Sequence, residues 1–177
     1  MVILIMRKIT YSCIIPTWNS EEVIEKCIES AIDQERAFDE IIVVDNGSID
    51  GTRNILKKFA LPRVIEIPIN LGFAVAVNTG IINCSSDFIV WLNADAYLDR
   101  QFLKTIENTI YLYPKYCILV PKILLPLENE YVKNFYIENV GNYFWLDGLN
   151  WCIGRKEQDI GQFDINYSPM FASGAVG

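Results

Sequence analysis

The stretch "IIVVDNGSIDGT", Ile41 to Thr52, decides how this chain is read. Four apolar residues in a row have the character of a strand covered on both faces, the kind found in parallel sheets. The run stops at Asp45. The residues that follow, Asn46, Gly47 and Ser48, then Asp50 and Gly51, tolerate the backbone angles of turns. A turn does not require a carboxylate directly at the end of a hydrophobic strand. In open α/β sheets, ligands bind just beyond the carboxyl ends of the strands. Asp45 is therefore a candidate ligand contact.

Outward from this stretch, apolar runs alternate with helical patterns. Strands are expected over Tyr11–Ile15, Ile41–Asp45, Val64–Pro68 and Phe88–Asn93. Between and after them, helices are expected from about Ser20, over Thr52–Phe59, over Phe73–Cys84 and over Gln101–Tyr111. In the first helix Val23, Ile24, Cys27, Ile28, Ala31 and Ile32 recur at helical spacing. Four β-α units in sequence predict an α/β fold whose mostly parallel sheet carries helices on both faces. After Pro114 the pattern changes. Cys117–Val120 reads as a further strand and Val140–Cys152 as an antiparallel excursion. The expectation is one domain over 1–177, with a β/α half at 10–113 and a second region at 114–177.

Composition narrows the function. The formal net charge of −7, with no basic cluster, argues against nucleic acid as a partner. The chain has no histidine, which excludes histidine triads and histidine metal sites, so any metal is expected to be oxygen-ligated. Its five cysteines are scattered without a CxxC pair, as in a reducing compartment. No run approaches the ~20 apolar residues of a membrane span. The expected location is the cytoplasm, compatible with peripheral attachment at a membrane.

The chemically informative residues fall where successive strands finish: "IPTWN" (Ile15–Asn19), Asp45, "NLGFAVAVNTG" (Asn70–Gly80) and "LNADAYL" (Leu92–Leu98). A parallel sheet brings these ends to one edge. Asn93 and Asp95 stand two apart at a strand exit, and in extended backbone they would face the same way. One carboxylate and one amide suit Mg²⁺ or Mn²⁺, which complete their shell with phosphates and water. Asp45, acceptor-only when ionised, could take the N3–H of uracil or thymine, which cytosine lacks. Gly72 would let backbone approach a ligand. Each pair alone also reads as an ordinary Asx turn; the joint pattern is what points to a site.

"CIIPTWN", "IIVVDNGSIDGT", "NLGFAVAVNTGI" and "FIVWLNADAYL", in that order and spacing, resemble the family 2 glycosyltransferases of GT-A fold, most of all their rhamnosyltransferase-like branch. The resemblance covers roughly Tyr11 to Leu103. It implies a nucleotide-diphospho-sugar donor, UDP- or dTDP-linked, and an inverting, metal-assisted transfer to a saccharide or lipid-linked acceptor. It implies that Pro16, Thr17 and Asn19 line the nucleotide pocket, with Asp45 on the base. Asp95 matches the last acid of the family's DXD motif, which holds Mg²⁺ or Mn²⁺ on the donor diphosphate, and Gly72 and Asn78 flank the donor. Asn93 stands in place of the first acid of that motif, and Ile49 where a threonine is usual.

"FASGAVG", Phe171–Gly177, resembles the strand before the family's acceptor-side segment, which supplies the catalytic base. The catalytic base is therefore unassigned; Asp147 and Asp164 are available acids that match no motif position. The expectation is a truncated chain that binds donor and transfers poorly, with self-association through sheet surface near Phe171–Val176. Two rivals stand beside this reading. One is a binding-only nucleotide-sugar domain; the other is a nucleotidyltransferase, against which "IPTWNSEE" lacks a Gly-rich basic loop.

Overall fold

The computed structural model describes residues 8–60, 63–125, 135–144 and 150–164. The chain divides into two compact units, Met1–Pro114 and Lys115–Gly177. The first unit contains four parallel strands, β1 (Tyr11–Thr17), β2 (Glu40–Asn46), β3 (Arg63–Ile67) and β4 (Phe88–Trp91). Each is followed by a helix: α1 (Ile24–Ile32), α2 (Thr52–Leu56), α3 (Phe73–Ile82) and α4 (Phe102–Leu112). The strands lie in the order β3-β2-β1-β4. This is the α/β architecture that the alternating apolar runs predict.

Strand alternation divides the core between the two sheet faces. On one face Ile14, Ile42, Val44 and Ile67 pack with Ala76 of α3. Each large side chain so buried contributes about 1.5–3 kcal/mol relative to exposure. On the other, Cys13 approaches Cys27 of α1, whose Ile24, Ile28 and Ala31 are also buried. Burial, with Cys27 nearby, pushes the Cys13 thiol well above its usual range. Neither thiol has the ionised character of a nucleophile.

Several boundaries differ from the sequence expectation. β1 runs on to Thr17, because its last residues still pair with β2, Thr17 against Asp45. Regular helix begins at Ile24, four residues after Ser20, since Val23 and Ile24 both bond back to the Ser20 carbonyl in a turn. α2 ends at Leu56, short of Phe59. β4 ends at Trp91, so Asn93 lies outside the strand.

In the second unit the expected strand at Cys117–Val120 does not form. Ile118 there is exposed, and among the described residues that run finds no neighbouring strand to take its backbone bonds. The pairing begins later, with β5 (Ile123–Leu124) antiparallel to β6 (Ile137–Asn139). The excursion expected at Val140–Cys152 contains an antiparallel pair, β7 (Asn142–Phe144) with β8 (Asn150–Cys152). Lys122 lies 2.7 Å from Asp159 and 2.6 Å from Asp164. Phe171–Val176 and Asp147 lie outside the described residues. Among the described residues, no helix is long and apolar enough to cross a membrane.

Candidate functional site

The sheet's strand order reverses direction at β1: β2 and β3 extend to one side and β4 to the other. Such a switch point opens a crevice at the carboxyl end of the strands, where α/β proteins bind ligands. Here the local sequence helps to open it. Ile14 still bonds β4 through its carbonyl to Leu92, and alternation aims the amide position of residue 16 to the same side. That residue is Pro16, which has no N–H to give. Pairing of β1 with β4 ends at Ile14 and Trp91. Pro16 is therefore tolerated in a central strand because its neighbour has already left.

Two oxygens mark the two sides of this edge. Thr17 Oγ1, at the end of β1, and Asn93 Oδ1, just past β4, are buried and, among the described residues, bond to no partner. A buried polar atom left unpaired costs about 1–3 kcal/mol. Both belong to residues singled out in the sequence.

The loops after β1 and β2 are clasped together. Asn19, at φ +46°, accepts the Ile49 N–H at its side-chain oxygen at 2.9 Å, while its own N–H donates to Ser48 Oγ at 2.9 Å. Ser20 N–H donates to Thr52 Oγ1, and Glu21 N–H to Asp50. Burial pushes the Asp50 carboxyl up, but hydrogen bonds from Thr52 and Glu21 outweigh it and hold the group below its usual value. Asn19 thus shapes the loop with its carbonyl oxygen already engaged. Ile49, where a threonine is usual, is exposed and takes part through its backbone.

Asp45 is fully buried. One carboxylate oxygen accepts the Ser48 N–H at 3.2 Å; the other accepts Arg53 Nε at 2.5 Å. Glu66, beside Asp45 in the β2–β3 register, lies 3.9 Å from the same Nε. The hydrogen bond to Asp45 raises the Arg53 pKa, keeping an always-charged group beside the acid. Sequence reading missed Arg53 and Glu66. Arg53 comes eight residues after Asp45, a separation that only the intervening turn closes.

The β3–α3 connection is fixed by Asn46. Its amide donates to Asn70 Oδ1 at 2.9 Å and to the Gly72 carbonyl at 3.1 Å, and its oxygen accepts the Leu71 N–H. Gly72 has φ +92° and ψ 161°, a region open essentially to glycine alone. Its amide is used internally, donating to Asn70. Asn78 lies further along α3 and is exposed.

Asn93 and Asp95 do not lie in extended backbone. Ala96 N–H donates to the Asn93 carbonyl at 3.0 Å, closing a tight turn, so strand alternation does not align the two side chains. Asn93 is partly buried; Asp95 is exposed. Cys27, pushed up to about 12 by burial and then by the Asp95 charge, donates to the Asn93 carbonyl at 3.4 Å. Among the described residues, no three acidic, cysteine or histidine side chains cluster as a metal site. One exposed carboxylate, two residues along from an amide whose oxygen is unpaired among the described residues, still fits a divalent cation that draws most of its ligands from phosphate and water.

Residues 12–151, most of the chain, match glycosyl transferase family 2. The chain belongs to that family. Chondroitin synthase of Escherichia coli is 29% identical over 167 residues, 93% of this chain and 23% of that protein. The structure of S. aureus TarS 1–349 in complex with UDP-GlcNAc superposes with a TM-score of 0.56 at 27% identity, over 60% of this chain and 32% of that one. The mannosyltransferase PcManGT of Pyrobaculum calidifontis, in complex with GDP-Man and Mn²⁺, gives 0.55 at 26% identity, over 64% and 35%. This family 2 chain therefore spans under a quarter of the first of these proteins and about a third of the other two.

Proposed function

We infer that the chain carries the donor-binding part of an inverting glycosyltransferase that uses a UDP- or dTDP-linked sugar. The observation that carries this reading is the pairing of Thr17 and Asp45 on one side of the switch-point crevice with Asn93 and Asp95 beyond the other. Family membership supports the reaction class, and the complexes of TarS and PcManGT support a nucleotide-sugar ligand.

In this reading Pro16 and Thr17 line the nucleoside side, and Asn19 holds the loop that bounds it. Asp45 accepts the base N3–H through a lone pair left by Ser48 and Arg53. Gly72 and Asn78 flank the donor. Asp95, with Asn93 beside it, is the residue that would hold Mg²⁺ or Mn²⁺, which supplies Lewis-acid stabilisation of the charge on a departing diphosphate. The acceptor, a saccharide or a lipid-linked sugar, would attack the anomeric carbon from the face opposite that diphosphate. A base is not assigned: Asp164 is already paired with Lys122.

Calorimetric titration with UDP-, dTDP-, GDP- and CDP-linked sugars, with and without Mn²⁺, tests this. Uridine or thymidine donors should bind best, and Asp45→Ala should cost about 1.5–3 kcal/mol, as for a hydrogen bond to a charged group. Absence of binding across the panel would sink the reading. Binding with no transfer to any acceptor would favour a nucleotide-sugar-binding domain.

A further inference from the structure

We propose that Arg53 is the specificity-determining residue of the base pocket, donating to a keto oxygen next to the ring N–H that Asp45 accepts. This rests on the nucleotide-sugar reading above and goes beyond it by naming the second half of the base contact.

The argument starts from access. Asp45 has no exposed surface, and Arg53 is one of the groups that covers it, with Nε 2.5 Å from the carboxylate. A base whose N–H reaches Asp45 past this cover lies next to the guanidinium. Arg53 spends only Nε on Asp45, and both Nη groups bond to no described residue. Its side chain remains 36% exposed. A guanidinium is a planar fork of five donors, so anchoring it through Nε fixes the direction of the remaining N–H bonds. Glu66, on the neighbouring strand and 3.9 Å from Nε, adds a second negative charge beside the guanidinium.

The pair then presents an acceptor, Asp45, beside donors on Arg53. Its complement is a ring N–H flanked by carbonyls, the N3 edge of uracil or thymine. Cytosine offers an unprotonated N3 to the carboxylate and, on one side, an amino group to the guanidinium. Where the guanidinium contacts O4 both contacts fail together; where it contacts O2, which cytosine keeps, only the N3 contact fails. A buried carboxylate alone would discriminate through N3 only.

Thio analogues separate the two contacts, because 2-thio-UDP and 4-thio-UDP keep the N3 proton below neutral pH but replace one keto oxygen by a weak acceptor. Calorimetry on the full chain would compare UDP, both thio analogues and CDP against wild type, Arg53→Gln, Arg53→Lys and Glu66→Gln. The expected result is that one thio analogue binds wild type about tenfold or more weakly than UDP. That penalty should vanish in Arg53→Gln and shrink in Glu66→Gln. Equal binding of UDP and both analogues by wild type would overturn the role of Arg53, as would a penalty that persists unchanged in Arg53→Gln. Wild type that binds UDP no better than CDP, or binds neither, overturns the base reading itself. Should Arg53→Gln fail to fold with Asp45 left unpaired, Arg53→Lys and the wild-type analogue series still decide the matter.

Discussion

Asn19 and Ile49 are joined across two loops: the side-chain oxygen of Asn19, a residue at φ +46°, accepts the Ile49 N–H at 2.9 Å. Asparagine is suited to both tasks, since it visits left-handed backbone readily and carries a short acceptor. Asn19→Ala should lose about 1–2 kcal/mol of stability in urea unfolding. Asn19→Gly should lose less, because it keeps the backbone freedom and forfeits only the bond. Equal losses would show that the bond alone matters.

Two glycines separate strain from crowding. At Gly47, φ is +81° and an added Cβ would lie 2.6 Å from the Ile69 carbonyl carbon, which is backbone and cannot rotate away. At Gly72 the backbone is equally unfavourable for other residues, yet nothing lies within 4 Å of an added Cβ. Gly72→Ala should therefore cost strain only, about 1–3 kcal/mol. Gly47→Ala should cost clearly more. Denaturant midpoints that rank the two in the reverse order would contradict the packing around Asn70.

Asp95 should govern the response to metal. Wild type should bind UDP more tightly with Mn²⁺ than with EDTA, and Asp95→Ala should abolish that gain while leaving uridine affinity unchanged. The negative charge of the chain makes the dependence steeper for the diphosphate than for the nucleoside. Calorimetry that finds no effect of EDTA on UDP affinity removes Asp95 as the ligand.

Acid should weaken the fold through Asp39, at the opposite edge of the sheet. Burial pushes this carboxyl up, but bonds from Lys8, Arg36 and the Tyr11 N–H outweigh it and leave its pKa below the usual value. A depressed carboxylate contributes stability that is full above its unfolded pKa, about 3.9, and is lost as pH falls through the folded value. Asp39→Asn should therefore cost about 1.5–3 kcal/mol at pH 7 and progressively less below pH 4. A difference that stays constant with pH would rule out the ionised carboxylate as its source.

The order of the strands, and Asp45 near the end of the second, were legible because continuous apolar runs stop at polar residues; the exact ends were less so, since β1 runs on to Thr17 and β4 stops at Trp91. What joins those ends is a different kind of information. The crevice depends on strand order and on Pro16 sitting where β4 diverges, and neither is encoded in any one segment. Arg53 and Asn46 act through contacts that a turn or a neighbouring loop must first create. The turn at Asn93–Ala96 is the Asx-turn alternative that "LNADA" also allowed, and without glycine or proline in that run the sequence alone did not choose it over extended backbone. Cys117–Val120 misled for the converse reason: it has strand composition but no described partner.

The bonds that attach β4 to β1 bear on how this fold is reached in time. Phe88 N–H meets the Thr10 carbonyl, and the Thr10 side chain meets Asp87 across 77 residues of sequence. β1 and β2 pair over a much shorter loop, since Asp39 and Tyr11 are 28 residues apart. Closing the longer loop costs more chain entropy before it gains any contact. β4 is thus expected to dock after the β1-α1-β2 unit, so truncating Phe88 should mainly speed unfolding, whereas truncating Ile42 should slow folding. The half of the crevice carrying Asn93 and Asp95 would then be the last to assemble and the first to open. A bound donor spanning both halves should accordingly act as a kinetic brake, lengthening the lifetime of the native state by holding its latest strand in place.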